Sequence, residues 1–209
     1  MNFTFVALAP GPKPLAPRKG DKMKDIFEVR IHGRGGQGAK TASQFIVEAA
    51  LEKGKFIQSF PEYGPERAGA PMKAFARISD KPIYTYAPVV NPDVVVVIDP
   101  TLLDSVNVVE GLKQDGVLLV NTPEAPDAVK KKINFSGRCM TVDASKISTE
   151  CTGKNMPNTT MIGALIKATN CITIEAIEES IRHKFIKKLG EQKTQATVDS
   201  VRRAYNEVR

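Results

Sequence analysis

Glu28-Val29-Arg30-Ile31-His32-Gly33-Arg34-Gly35-Gly36-Gln37-Gly38-Ala39-Lys40 reads as a short strand that runs straight into a glycine-rich turn. Gly33, Gly35 and Gly38 have the G-x-G-x-x-G spacing, and Gly36 adds a further glycine. Thr41 to Lys53 then continues in helical period. Strand, glycine turn, helix is the context that gives such a motif meaning. Glycines admit positive φ and let a ligand approach the main chain with no Cβ in the way. Free N–H groups and the dipole at the helix start favour a phosphate there. Arg34 and Gln37 lie inside the turn, and a basic residue is unusual where a plain dinucleotide fold needs only a tight bend.

Outward from this unit, strands and helices alternate. Ile26–Ile31 is the first strand, and Thr41–Lys53 the first helix, with Phe45, Ala49 and Leu51 among its core positions and Gly54 ending it. Lys55–Phe60 is a second strand. Met72–Ile78 is a third, with Met72, Ala74, Ala76 and Ile78 on one face, and Ile83–Tyr86 is a hairpin-like piece beside it. Asp93–Ile98 is a continuous apolar run bounded by Pro92 and Asp99-Pro100, as expected of a central strand buried on both faces. Helices follow at Leu102–Lys113 and Ala125–Lys132, strands at Gly116–Asn121 and Cys139–Asp143. Three more helices follow at Asn158–Ala168, Thr173–Phe185 and Thr194–Val208. The pattern predicts an α/β, Rossmann-like, open and mostly parallel sheet with helices on both faces, in a single domain over 25–209. Met72–Tyr86 breaks the alternation and suggests an antiparallel insertion. Residues 1–24 are proline-rich and read as an extended or disordered arm.

Ligands on such sheets bind at the carboxyl ends of strands near a topological switch point. The turns to watch are therefore Gly33–Gly38, Pro61–Gly69, Asp99–Thr101 and Asn121–Glu124.

The chain has 209 residues, 42% apolar and 25% charged, as soluble globular proteins have. No apolar run reaches the roughly 20 residues of a membrane span, and no secretory leader is visible, so a cytoplasmic protein is expected. The net charge of +7 favours polyanionic partners. It is not gathered into a stripe, and 6% aromatics without tryptophan provide no stacking platform, so nucleic acid is not an expected partner. Cys139, Cys151 and Cys171 include no C-x-x-C, which argues against an iron–sulfur cluster or a cysteine zinc site within this chain. They read as small buried apolar side chains. His32 and His183 form neither a metal set nor a Ser-His-Asp arrangement.

Three readings of the glycine turn compete. A dinucleotide site wants an acidic residue about 20 positions on, at the end of the second strand. Glu62 comes late, in a loop shared with Glu66 and Arg67. A different phosphate-bearing ligand, such as coenzyme A, suits Arg34 in the turn and Arg67 on the next loop, because guanidinium groups hold phosphates bidentately. Asn121 and Thr122 add hydrogen-bonding groups at the next strand end. In the third reading the glycines serve close packing and the surface binds a protein.

Gly33–Gly38, then Tyr63-Gly64-Pro65-Glu66-Arg67-Ala68-Gly69-Ala70, then Asn158-Thr159-Thr160-Met161-Ile162-Gly163-Ala164-Leu165, resemble in order and spacing the gamma subunit of 2-oxoacid:ferredoxin oxidoreductases, most closely the pyruvate (pyruvate synthase) type. The resemblance runs from Ile26 to about Arg209 and excludes the proline-rich arm. It implies a subunit that is not catalytic alone and that helps form a coenzyme A site. It also implies alpha, beta and delta partner subunits, which carry thiamine diphosphate, Mg2+ and [4Fe-4S] clusters, with ferredoxin as the acceptor of the complex. Gly33, Arg34, Gly35, Gly36, Gln37, Gly38, Arg67, Gly69, Asn121 and Asn158 are the candidate cofactor-binding residues; no catalytic or metal residue is assigned. Two alternatives are the same family acting on 2-oxoglutarate, a branched-chain 2-oxoacid, indolepyruvate or oxalate, and an assembly subunit that binds no ligand. An NAD-dependent dehydrogenase is a third. Asn158 caps a helix after Pro157 or reaches the ligand, and Gly163 serves close helix packing.

Overall fold

The computed structural model describes residues 26–62 and 69–209. The arm at 1–24, and Arg67 with the rest of 63–68, lie outside the described residues. The elements in order are β1 (Phe27–Arg34), α1 (Ala39–Glu52), β2 (Phe56–Pro61), β3 (Pro71–Ser79) and β4 (Val94–Val97), then a 3-10 turn at Pro100–Asp104. There follow β5 (Val117–Asn121), α2 (Pro126–Lys132), β6 (Arg138–Val142), α3 (Ala144–Thr152), α4 (Pro157–Thr169), α5 (Ile174–Leu189) and α6 (Glu191–Glu207).

The strands form one sheet in the order β2-β3-β1-β4-β5-β6. β1, β4, β5 and β6 pair in parallel, while β3 runs antiparallel to both β1 and β2. The antiparallel insertion expected at Met72–Tyr86 is therefore β3 alone. Chain direction reverses across β1, which has β3 on one side and β4 on the other. The carboxyl ends of β1 and β4 consequently flank the switch point where α/β folds bind ligands.

Strand alternation sorts the core into two layers. Val29, Ile31, Ala74, Ala76, Val94, Val96, Val117 and Leu119 pack with α1, α3, α4, α5 and α6. Val95, Val97, Leu118 and Val120 pack on the opposite face with Leu102, Val108 and Val129 of α2. Helices thus cover both faces, unequally. Over the antiparallel half, the second face carries charge. Arg77, 2% exposed, donates to Glu28 Oε1 (2.9 Å), Gln58 Oε1 (3.1 Å) and the Ala87 carbonyl (2.7 Å). Arg30 donates to the carbonyls of Val108 (3.0 Å) and Glu110.

Those arginines explain two departures from the sequence pattern. Leu102–Lys113 was expected as a helix, yet only Pro100–Asp104 is helical, and as a 3-10 turn. Arg30 takes the carbonyls that helical bonds would need, Val106, Val108 and Val109 are poor helix formers, and Gly111 sits at φ 67. Ile83–Tyr86 is not a strand. It is tethered by single bonds, Gln58 Nε2 to the Thr85 carbonyl and Arg77 to Ala87, rather than by a ladder. α3 was not anticipated at all. It buries only Ala144, Ile147 and Ser148 and is started by Asp143, which accepts from Lys146 N. The cysteines are only partly buried.

Gly163 lets α4 and α6 touch, since an added Cβ would lie 1.9 Å from the Val201 carbonyl oxygen. At the β6 edge, Arg209 and Thr141 exchange two main-chain bonds of 2.8 and 3.1 Å.

Candidate functional site

β1 continues past Ile31 to Arg34, with Gly33 opposite Met72 and Arg34 opposite Pro71. Two of the predicted turn residues are thus still strand, and the turn proper is Gly35–Gly38. Gly36 (φ 94) and Gly38 (φ 79) take the left-handed backbone that glycine permits. Gly38 is the N-cap of α1 and gives it no side-chain cap. The first N–H groups of a helix lack partners within it, so α1 presents donors and the positive end of its dipole at the turn.

The 69–70 turn is hydrogen-bonded to the glycine turn, Gly35 N to Ala70 O (2.9 Å) and Gly69 N to Gly35 O (3.1 Å). Arg34 adds a third tie, Nη1 to the Gly69 carbonyl at 3.2 Å. Its Nε reaches Asp99 Oδ2 at 3.1 Å and its Nη2 reaches Thr101 Oγ1 at 2.8 Å. Gln37 closes the turn by accepting from Arg34 N (2.8 Å) and donating to Asp99 Oδ2 (2.7 Å). Burial alone would raise the Asp99 carboxyl, but the Thr101 hydroxyl, the Gln37 amide, the Thr101 N–H and the Arg34 charge together hold it below the usual carboxylate range.

Beside this cluster lies a crevice of about 500 Å³ walled by Gly36, Gln37, Gly38, Asp99, Asn121 and Asn158, with Ser145, Asn155 and Met156. Among the described residues, Asp99 is the one charged residue in that wall. The starts of α1, α3 and α4 all reach the crevice, through Gly38, Ser145 and Pro157.

The structure therefore brings Gly33 to Gly38, Gly69, Asn121 and Asn158 around one switch point, in different roles. Asn121 donates to the Ile98 carbonyl (2.8 Å) and to Ser145 Oγ (2.9 Å) and accepts from Ser145 N (3.1 Å), fastening β4, β5 and the start of α3. Asn158 is not the cap of its helix. Met156 is the N-cap and Pro157 follows, and Asn158 lies against Gly38, where an added Cβ would come within 2.5 Å of its Nδ2. Ser145 and Met156 carry no sequence signal for the site. Asp99 lies in the Asp99–Thr101 turn expected near the ligand, though it is not among the candidate cofactor-binding residues.

On the other face, His32 is 2% exposed with Nε2 unpartnered. Burial, with Arg30 and Lys73 nearby, pushes it down to about 3. Among the described residues no group of three or more His, Cys, Asp or Glu is placed to hold a metal ion, and no helix is long and apolar enough to cross a membrane.

A doubly wound sheet with a glycine turn and a crevice at its switch point defines a nucleotide-fold subunit of the Rossmann-like class. Residues 28–207 match the family model for pyruvate ferredoxin/flavodoxin oxidoreductase, and the chain belongs to that family. It is 52% identical over 186 residues to the pyruvate synthase subunit PorC of Thermotoga maritima, covering 89% of this chain and 96% of that one. The crystal structure of the pyruvate oxidoreductase subunit from the same organism superposes with a TM-score of 0.81 at 49% identity, covering 89% of this chain and 98% of that chain. The common gamma subunit of the pyruvate and ketoisovalerate oxidoreductases of Pyrococcus furiosus is 46% identical over 172 residues, 82% of this chain and 93% of that protein. This chain is accordingly a gamma-type subunit of a pyruvate-class oxidoreductase complex, in which further subunits are expected.

Proposed function

We propose that this subunit holds coenzyme A for a cytoplasmic pyruvate:ferredoxin oxidoreductase. The complex would convert pyruvate and coenzyme A to acetyl-CoA and carbon dioxide and pass two electrons to ferredoxin. One observation carries the reading. The side-chain-free start of α1 opens into one crevice, and the Arg34 guanidinium, tied to the Gly69 carbonyl, is bonded to Asp99 of the crevice wall. Its size lies within the ~300–1,000 Å³ of small-molecule sites, and its wall is rich in uncharged hydrogen-bonding groups.

The alpha, beta and delta subunits would carry thiamine diphosphate, Mg2+ and the [4Fe-4S] clusters. The thiamine group, when bound there, supplies the electron sink for decarboxylation. This chain's residues do the positioning. Amides of Gly36 and Gly38 and the α1 start offer donors to phosphate oxygens, Arg34 offers charge, and Arg67 is proposed to add more. Holding the nucleotide end aims the thiol toward the partner subunits, and positioning of that kind lowers a barrier by several kcal/mol.

Titration of coenzyme A into the assembled complex tests this directly. Heat that is lost on Arg34→Ala and reduced on Arg67→Ala supports it. An absence of heat with wild type would favour a purely structural subunit. The Pyrococcus furiosus relative, named as common to pyruvate and ketoisovalerate enzymes, favours a second reading in which this subunit also serves a branched-chain 2-oxoacid enzyme.

A further inference from the structure

The Asp99 carboxylate is only 11% exposed and has no acceptor capacity left. Oδ2 accepts from Arg34 Nε (3.1 Å) and Gln37 Nε2 (2.7 Å); Oδ1 accepts from Thr101 N (3.0 Å) and Thr101 Oγ1 (2.7 Å). A carboxylate offers about four lone-pair sites, so none remains for a ligand, although Asp99 lines the crevice. Its two Oδ2 partners are differently placed. Gln37 is in the crevice wall, whereas Arg34 is bonded to the Gly69 carbonyl and Thr101 outside it.

Both partners keep donors in reserve. Gln37 uses its oxygen on Arg34 N and one amide hydrogen on Asp99, which leaves one hydrogen. Of the five guanidinium N–H groups of arginine, the bonds of Arg34 engage one on each nitrogen. One on Nη1 and one on Nη2 remain. An arginine on a free side chain would have to be ordered at binding, and this one is ordered beforehand.

We propose that Asp99 is a positioning residue for the bound coenzyme: it holds Arg34 at the rim for a phosphate and Gln37 in the wall for an acceptor inside the crevice. This rests on coenzyme A being the ligand. Asp99 touches neither the ligand nor the reacting atoms and acts through its two partners. The same carboxylate ties the β1 turn to the β4 turn, so the rim and the wall keep a constant spacing.

The test is a double-mutant cycle in the assembled complex, with coenzyme A and phosphate-free pantetheine as alternative thiol probes. Asp99→Ala and Arg34→Ala each raise the KM for coenzyme A about tenfold, without moving the KM for the 2-oxoacid. The double variant is worse than Asp99→Ala by less than about twofold, because removing Asp99 already releases Arg34. With pantetheine the Arg34→Ala effect disappears. Additive losses, near a hundredfold together, would overturn the proposal. So would an unchanged KM in Asp99→Ala beside a raised one in Arg34→Ala, an outcome that leaves the coenzyme A reading standing. Absence of coenzyme A binding by the wild-type complex would sink both. Should Asp99→Ala not assemble, Asp99→Asn, of the same shape, carries the same comparison.

Discussion

Replacing Gly163 by alanine pits local propensity against packing in a way that the structure decides. Alanine is favoured over glycine inside a helix by about 1 kcal/mol. At this position its Cβ would lie 1.9 Å from the Val201 carbonyl oxygen, 2.8 Å from its carbon and 3.1 Å from Tyr205 N. A close carbon–oxygen contact is about 3.3 Å, so α4 and α6 must part locally by more than ~1 Å. The obstacle is helix backbone, flanked by the buried Val198, Val201 and Ala204, and cannot rotate aside. Overpacking of this sort costs about 1–3 kcal/mol and sometimes more. A 1.9 Å clash with helix backbone belongs at the top of that range, about 3 kcal/mol, so with the propensity gain subtracted we expect a net loss of about 2 kcal/mol. That corresponds to ~4–8 °C in Tm for a chain of this size. Urea unfolding of the purified chain measures it, as a fall in midpoint at constant slope. The effect extends to function, because α4 carries Pro157 and Asn158 in the crevice wall. Stability equal to or above wild type would refute the close approach of α4 and α6.

Arg77→Ala strips Glu28, Gln58 and the Ala87 carbonyl of a buried cation at once; a loss of about 3–5 kcal/mol is expected in the same urea assay, and Arg77→Met should lose less. Gly111→Ala forces alanine to φ +67 with its Cβ 2.1 Å from the Val90 carbonyl oxygen. At least ~1 kcal/mol follows from the backbone strain alone, and faster amide exchange around Asn91 should accompany it. His32 is held neutral down to about 3 in the fold, against ~6.5 in the unfolded chain. The unfolded chain therefore binds the proton first. The stability from neutral His32 is full above about pH 6.5 and is lost toward about pH 3 at up to ~1.4 kcal/mol per pH unit. His32→Phe should flatten that part of the pH–stability curve, and an unchanged slope would assign it to other groups.

The strand, glycine turn and helix at Glu28–Lys53 were legible because each rests on local chemistry. Alternation placed Val29 and Ile31 on one face, and the glycines permitted the positive φ found at Gly36 and Gly38. The Val94–Val97 run announced a strand buried on both sides for the same reason. Leu102–Lys113 was misread because its carbonyls are claimed by Arg30 from 78 and 80 residues away, which no local pattern records. α3 was missed since a small, Ser- and Thr-rich segment with three buried residues has little period to detect.

At the site the division is similar. The sequence by itself determined that Gly33–Gly38 forms a turn at a strand end, that Arg34 brings a charge into it, and that the motifs belong together in one family. Only the tertiary structure decided what those groups are free to do. It set Asp99 against Arg34 and Gln37, gave Asn121 to the start of α3, and laid Asn158 on Gly38. These are contacts between turns distant in sequence, made when the sheet aligns the carboxyl ends of its strands. A residue's type fixes which bonds it can offer, and the fold fixes which of them are already taken.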